Sequence, residues 1–311
     1  MTRRPRILVC GDVMNDLLVK PLEPVRPDTD TGSAILSRPG GSAANQAAWL
    51  AAAGSQVTFA GRVGAADQAQ HQAALAASGV QALLAADADA PSGAAVVLVA
   101  PDGGRTMYVD RGANLSLVAN DVPLALLSGV DGLHVTGYSL FDAGPRATVL
   151  GVMAAAWERG LPVTVDPSSS AFLARLPPGA FLAWTAGATV CFPNLDEAAV
   201  ITGRQTADGM LTALLERYPT VVLTCGADGV LVGQRGSPST AVPATAVGAY
   251  DTTGAGDAFC GGFLHAWYAG GDAVAAARAG VRMAGHACTM LGARPPVDRP
   301  VDNSGEAPAS S

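Results

Sequence analysis

The run Asp251-Thr252-Thr253-Gly254-Ala255-Gly256-Asp257-Ala258-Phe259 passes directly into the apolar helical stretch Cys260 to Trp267. Small residues at 254 to 256 allow successive backbone N–H groups to face one concavity, and the start of a helix adds about half a positive charge there. Such a nest holds a phosphoryl group without a lysine. Asp257, at its mouth, has two readings: a base that takes the proton of an attacking hydroxyl, or a helix cap.

Lysine usage makes the nest matter more. Lys20 is the only lysine among 19 basic residues, and it follows Leu17-Leu18-Val19, so no G-x-x-x-x-G-K-[ST] phosphate loop can be written. Mechanisms built on a lysine Schiff base or a kinase strand lysine are left one poor candidate. A net charge of −7 without a Lys/Arg stripe argues against a nucleic-acid partner. No apolar run approaches the ~18 residues of a membrane span. Arg3, Arg4 and Arg6 read as a solvated N-terminus, and Ile7 to Cys10 is too short for a signal peptide. The five cysteines (10, 191, 225, 260 and 288) stand singly, which predicts buried free thiols in a reducing cytoplasm rather than disulfides or zinc.

Outward from the quoted run, short Val/Ile/Leu-rich segments alternate with alanine-rich segments of helical length. The apolar segments are Ile7 to Cys10, Val57 to Ala60, Leu133 to Thr136, Val163 to Val165, Thr189 to Phe192, Val221 to Thr224 and Val230 to Gly233. Helices are expected over 43–53, 68–78, 148–159, 196–202, 209–217, 257–268 and 273–291. This rhythm predicts an α/β fold with a doubly wound, mostly parallel sheet covered by helices on both faces. Two stretches instead alternate apolar and polar residues: 12–20 with 32–37, and 93–99 with 105–110 around the turn Pro101-Asp102-Gly103-Gly104. They predict half-exposed antiparallel strands of a small accessory sheet, at about 12–37 and 93–111. The main domain is expected to end at 293, and the Pro/Ser/Ala-rich residues 294–311 to be disordered.

A second glycine-rich segment, Arg38-Pro39-Gly40-Gly41-Ser42-Ala43-Ala44-Asn45, opens another small-residue helix. Gly40 and Gly41 permit close approach of a ligand to backbone, and Asn45 offers a donor and an acceptor. A plain Gly-Gly turn is the alternative.

Together the two segments resemble the signatures of the phosphofructokinase-B, or ribokinase-like, family of carbohydrate kinases. The resemblance extends through Gly11-Asp12-Val13-Met14-Asn15-Asp16, Gly112-Ala113-Asn114, Pro193-Asn194-Leu195-Asp196-Glu197 and Thr224-Cys225-Gly226-Ala227-Asp228-Gly229, in the family's order. It implies a ribokinase-like domain with a β-sheet lid, and transfer of the ATP γ-phosphoryl group to a sugar or nucleoside hydroxyl. Asp257 is then the general base, and the amides around Gly254, Ala255 and Gly256 form the anion hole. Asn194 and Glu197 act near Mg²⁺ and the phosphates, with a solvated helix start as the alternative. Thr224, Gly226 and Gly229 line the nucleotide site, and Asp251 and Thr253 match a loop that in many members holds a monovalent cation such as K⁺, completed near Ala287 and Gly292. On the acceptor side Asp16, Gly41 and Asn45 bind hydroxyls. Asp12 either joins them or closes a turn, and Asn114, on the returning lid strand, is either a further contact or an exposed turn residue. The family also implies pairing of two copies through their lids, or a monomer.

Three departures bear on the acceptor. Ser42 stands where ribokinases carry Lys after the glycine pair, and Tyr138 stands near the place of a ribose-binding Glu. Both remove charge, and Tyr138 either stacks on a ligand or is half-buried structure. Asp166-Pro167-Ser168 lacks the Asn and Arg usual in sugar kinases and matches some nucleoside kinases. A small sugar or sugar acid leads, with a ribonucleoside such as adenosine or pseudouridine as the alternative. A non-catalytic binding protein would be expected to have lost the base or the anion-hole glycines, and neither is lost here.

Overall fold

A computed structural model describes residues 4–99, 105–248 and 251–296. The turn at 101–104 and the tail beyond 296 lie outside the described residues. Strand β1 (Arg6–Cys10) shows why the sheet is covered on both sides. Ile7 and Val9 enter one core, and Leu8 and Cys10 the other. A strand buried on both faces has no polar alternation, which is what its sequence displays.

The remaining strands are β2 (Met14–Pro21), β3 (Ser33–Gly40), β4 (Gln56–Gly64), β5 (Val80–Asp87), β6 (Gly93–Val99), β7 (Arg105–Asp110), β8 (Gly132–Thr136), β9 (Val163–Asp166), β10 (Val190–Cys191), β11 (Thr220–Thr224), β12 (Val230–Gln234) and β13 (Thr240–Val242). The nine-stranded sheet has the order β13-β12-β11-β10-β9-β8-β1-β4-β5. Its strands pair in parallel except at one edge, where the reversed β12 pairs antiparallel with both β11 and β13. The segment Val230 to Gly233, expected within the β-α-β series, therefore follows β11 through a tight turn rather than a helix.

One face is covered by α1 (Ser42–Ala52), α2 (Gln68–Ala77), α9 (Ala255–Tyr268) and α10 (Ala273–Cys288), whose Leu50, Leu75, Phe263 and Ala276 share a core. The other carries α3 (Tyr138–Phe141), α4 (Ala143–Glu158), α5 (Ser170–Leu173), α6 (Ala180–Trp184), α7 (Leu195–Thr202) and α8 (Ala207–Leu215), anchored by residues such as Leu140, Met153, Leu173 and Leu214. Cys10, Cys191 and Cys260 are buried free thiols, while Cys225 and Cys288 are half-buried.

Strand β5 has no counterpart among the expected strands. Its sequence, VQALLAAD, is alanine-rich, and pairing with β4 at the sheet edge overrides that helical composition. The accessory sheet has the order β3-β2-β6-β7. Its β2–β3 and β6–β7 pairs are antiparallel as expected, but β2 and β6 pair in parallel, a correction to the all-antiparallel reading. The chain crosses the main sheet between β3 and β6, so the two hairpins meet side by side in the same direction.

Candidate active site

The parallel strands β1, β8, β9, β10 and β11 deliver Asp12, Tyr138, Asp166, Asn194 and Thr224 at or just beyond their C-terminal ends, where open α/β sheets bind ligands. Helices α1 and α9 complete the site. Gly254, at φ 75°, is the residue before α9, and a Cβ there would lie 2.6 Å from the Ala293 backbone. Only glycine satisfies both constraints. Gly256 differs, because a Cβ there would meet nothing within 4 Å. Its surroundings are open at the helix start. The Ala255 amide already donates to the Thr252 carbonyl at 3.3 Å, so it holds the loop in this state.

Asp257 does not cap α9. Its carboxylate accepts from Ser42 Oγ at 2.8 Å, Asn45 Nδ2 at 3.0 Å and Gln46 Nε2 at 3.1 Å, all on α1. Burial pushes its pKa up to about 7 against the opposing pull of the Asn45 and Ser42 bonds. A carboxylate held at that value accepts a proton readily near neutrality. Gln46 also donates to Asp166 at 2.6 Å, and its Oε1 meets His134 Nε2. His134 is fully buried and its pKa is lowered to about 3 by that burial, so it is neutral. The sequence reading missed Gln46. Its small-residue surroundings in α1 gave no sign that it would order two carboxylates at once.

Two cavities meet at Asp257. The first is bordered by Asp12, Asp16, Gly41, Asn45, Arg111 and Tyr138, together with lid residues of β2, β6 and β7. The second is bordered by Asp166, Ser168, Asn194, Glu197, Thr224 and Gly256. Ser42, Gly254 and Asp257 line both.

Around the first cavity, Asp12 accepts from the Ser42 and Ala43 amides at 3.0 and 3.3 Å and from Thr136 Oγ1 at 3.1 Å. It caps α1 from a distance and so fixes the glycine pair. Asp16 lies against Gly40, where any Cβ would strike its carboxyl group. Burial raises its pKa to about 6. Asn114 lies on the turn Gly112–Ser116 after β7, not on the returning strand as expected. It is buried, and its amide is engaged by the backbone of Val13 and Arg111 at 2.9 to 3.0 Å. Its place is the hinge between lid and domain, away from the cavity lining. Tyr138 is half-buried, with edge contacts to Phe141 and Phe172 and the Arg111 guanidinium 5.0 Å from its ring centre.

Arg294 corrects the expectation that the tail is disordered from that residue on. Its Nε donates to Asn45 Oδ1 at 3.0 Å and its NH2 to the Gly40 carbonyl at 2.8 Å. Trp49 Nε1 holds the preceding carbonyl, that of Ala293, at 2.9 Å. Burial lowers the Arg294 pKa to about 10 despite Asp16, Asp257 and Asp12 nearby. Asn45 thus bridges Arg294 and Asp257 instead of standing free.

Around the second cavity, Asn194 and Glu197 form a reciprocal capping box on α7, with bonds of 2.8 and 2.9 Å. Glu197 is buried, so the solvated helix start does not describe it. Burial, with Asp166 adding to it, drives its pKa upward. Ser168 adopts φ 72°, a left-handed conformation that costs a non-glycine residue about 1–3 kcal/mol, and its hydroxyl accepts from the Gly137 amide at 3.1 Å. Gly226 and Gly229 lie in the turn between antiparallel β11 and β12, outside the lining of the second cavity. Asp251 accepts from Thr253 N and Oγ1 at 2.8 and 2.6 Å and from the Gly292 amide at 3.0 Å, tying the loop before α9 to the C-terminal segment.

A family model described as pfkB family carbohydrate kinase matches residues 4–300. The chain belongs to that family. Its members are phosphotransferases acting on sugar or nucleoside hydroxyls. Ribokinase of Bacillus subtilis (strain 168) is 29% identical over 295 residues, covering 93% of this chain and 94% of that one. The bifunctional protein HldE of Pseudomonas putida (strain GB-1) is 30% identical over 284 residues, covering 86% of this chain but 56% of the relative. This pfkB chain therefore spans about half the length of such bifunctional relatives, and less of some. Among solved structures, a fructokinase double mutant from Vibrio cholerae O395, bound to fructose, ADP and potassium ion, superposes with TM-score 0.79 at 27% identity, covering 94% and 95% of the two chains. Adenosine kinase from Sinorhizobium meliloti shares the fold, with TM-score 0.84 at 22% identity and 94% and 96% coverage. No helix among the described residues is long and apolar enough to cross a membrane.

Proposed function

We propose that this pfkB kinase transfers the γ-phosphoryl group of ATP to a hydroxyl of a small sugar or sugar acid, with Asp257 as general base. The observation that carries the reading is the position of Asp257 on the wall shared by both cavities, held by three donors from α1. As the acceptor oxygen bonds to phosphorus, Asp257 takes its proton and the bond from phosphorus to the ADP oxygen breaks. The start of α9 at Gly254 to Gly256 stabilises the charge on the transferred group. Asp16, Gly41 and Asn45 orient the acceptor, and Arg294 fixes Asn45.

Magnesium fits the second cavity. No cluster of three or more metal-ligating side chains exists among the described residues, and Mg²⁺ is commonly held by one or two carboxylates, waters and substrate phosphates. Asp166 and Glu197 border the cavity, and burial opposes the charge of each. They would hold the ion, which when bound neutralises charge on the phosphates. A monovalent cation at the Asp251–Thr253 loop belongs to the same proposal, with K⁺ dependence of turnover as its check.

A ribonucleoside acceptor is favoured by one observation, the Tyr138, Phe141 and Phe172 cluster beside the first cavity. ADP release with adenosine or pseudouridine, and not with pentoses or hexoses, would establish it. Two copies pairing through the lids would cover Ile35 and Tyr108, which are 66% and 61% exposed on the lid face away from the cavity. A monomer by sedimentation would contradict that pairing.

The Asp257→Asn variant tests the main reading. It is expected to bind ATP as the native protein does and to lose about 10² to 10⁴-fold in turnover. Near-native turnover would refute the assignment.

A further inference from the structure

Charged side chains buried in this protein normally find partners. Buried Asp87 shows the rule, bonded at 3.0 Å by the half-buried Arg62, which also meets Asp121 at 2.9 Å. Arg111 breaks it. The residue is 7% exposed, yet its Nε, NH1 and NH2 have no hydrogen-bond partner among the described residues. It borders the acceptor cavity together with Asp12, Asp16 and Asp257, and makes no salt bridge to any of them. Its one contact of note is the Tyr138 ring, 5.0 Å from the guanidinium carbon. A second guanidinium nitrogen, NH1 of Arg294, is also buried without a partner among the described residues, although that residue's other nitrogens are anchored to Asn45 and Gly40.

A buried guanidinium with all its donors unused is costly, and the cost is recovered when an acceptor group arrives. Asp12 does not supply it: the bonds it accepts come from the start of α1 and from Thr136. Asp257 is bound to Ser42, Asn45 and Gln46. The planar fork of Arg matches two oxygens of one oxyanion, and the Tyr138 face below it fixes the plane of that fork. The loss of charge that Ser42 and Tyr138 suggest in the sequence is thus offset at the same spot by a cation one residue before the Gly112-Ala113-Asn114 motif.

Resting on the kinase reading above, we infer that Arg111 is a specificity-determining residue, and that the acceptor is a polyhydroxy compound bearing an oxyanion, carboxylate or phosphate, which Arg111 binds. The acceptor then lies with its reacting hydroxyl at Asp257 and its anionic group over Tyr138. Carboxylate and phosphate share this chemistry, and the two are separated by experiment.

The test measures ADP release and, independently, calorimetric binding, for matched compounds: a neutral hexose, the corresponding aldonate, a 2-keto-3-deoxy sugar acid and the hexose monophosphate. Native protein, Arg111→Gln and Arg111→Lys are compared. At least one oxyanion-bearing compound is expected to exceed the neutral hexose by roughly 10- to 100-fold in kcat/KM or affinity. That ratio should collapse to a few-fold in Arg111→Gln and recover in part in Arg111→Lys. Whether the aldonate and sugar acid or the monophosphate shows the effect identifies the anion. Arg111→Gln should melt at or above the native temperature, because it removes an unpaired buried charge, and this separates ligand binding from a structural role. Arg111-dependent oxyanion binding without ADP release would uphold this inference and contradict the kinase reading. Neutral sugars used as well as their charged counterparts, equal loss for all acceptors in Arg111→Gln, or no Arg111-dependent binding of any oxyanion compound would overturn the inference.

Discussion

On the phosphate side of Asp257 the cavity wall is made of helix and strand ends: the start of α9, the capping box of α7 and the end of β11. On the side proposed for the acceptor it is made of single side chains from distant parts of the chain, with Asp16 on the lid and Arg111 after β7, while Arg294 beyond α10 holds the lining residue Asn45. In the proposed reading the first wall receives the phosphoryl group at the start of α9. The second presents charges placed individually, three carboxylates against the buried Arg111 guanidinium. On the proposed reading, phosphoryl transfer rests on the helix start, and discrimination among acceptors rests on side chains that can be exchanged one at a time.

The sharpest way to break this contrast is Gly256→Val. Space around position 256 is open, so the fold should be retained with an unchanged melting temperature, while the side chain fills the room the phosphoryl group needs. Turnover is expected to fall by about 10²-fold or more. A variant that melts normally and turns over normally would show that the start of α9 is not the anion site. Asp16→Ala comes next. It should raise the acceptor KM roughly 10- to 100-fold while leaving the ATP KM within about twofold, and the reverse pattern would mean the two walls have been exchanged. Lys20→Arg is the smallest. Lys20 is exposed at the far end of β2, opposite Ala34, and steady-state kinetics should not distinguish the variant from the native protein.

The same contrast explains what the sequence disclosed. The helix starts at Gly41 and Gly254 were legible because small residues, a carboxylate and a helix follow one another within a few positions, and the spacing alone states the geometry. Alternating hydrophobicity likewise marked all four lid strands. Arg111 and Arg294 were not legible, since nothing in their neighbours says that a proline-rich stretch folds back over α1 or that the turn after β7 points a guanidinium inward. Gln46 was hidden for a related reason. Its four contacts are with side chains from α1, β8, β9 and α9, and only the assembled fold brings them together. The edge strand β5 was missed because alanine reports burial poorly and its strand state depends on β4.

Everything on both walls converges on the proton that Asp257 must accept, so the pH dependence of kcat at saturating acceptor and ATP is the most direct measurement. Burial holds the Asp257 pKa at about 7. Below that value the carboxyl group is protonated and cannot act as base. The account therefore predicts that kcat rises about tenfold per pH unit up to near neutrality and then levels, with this rise absent in Asp257→Asn. A kcat independent of pH through neutrality in the native protein, or an unchanged rise in the variant, would contradict it.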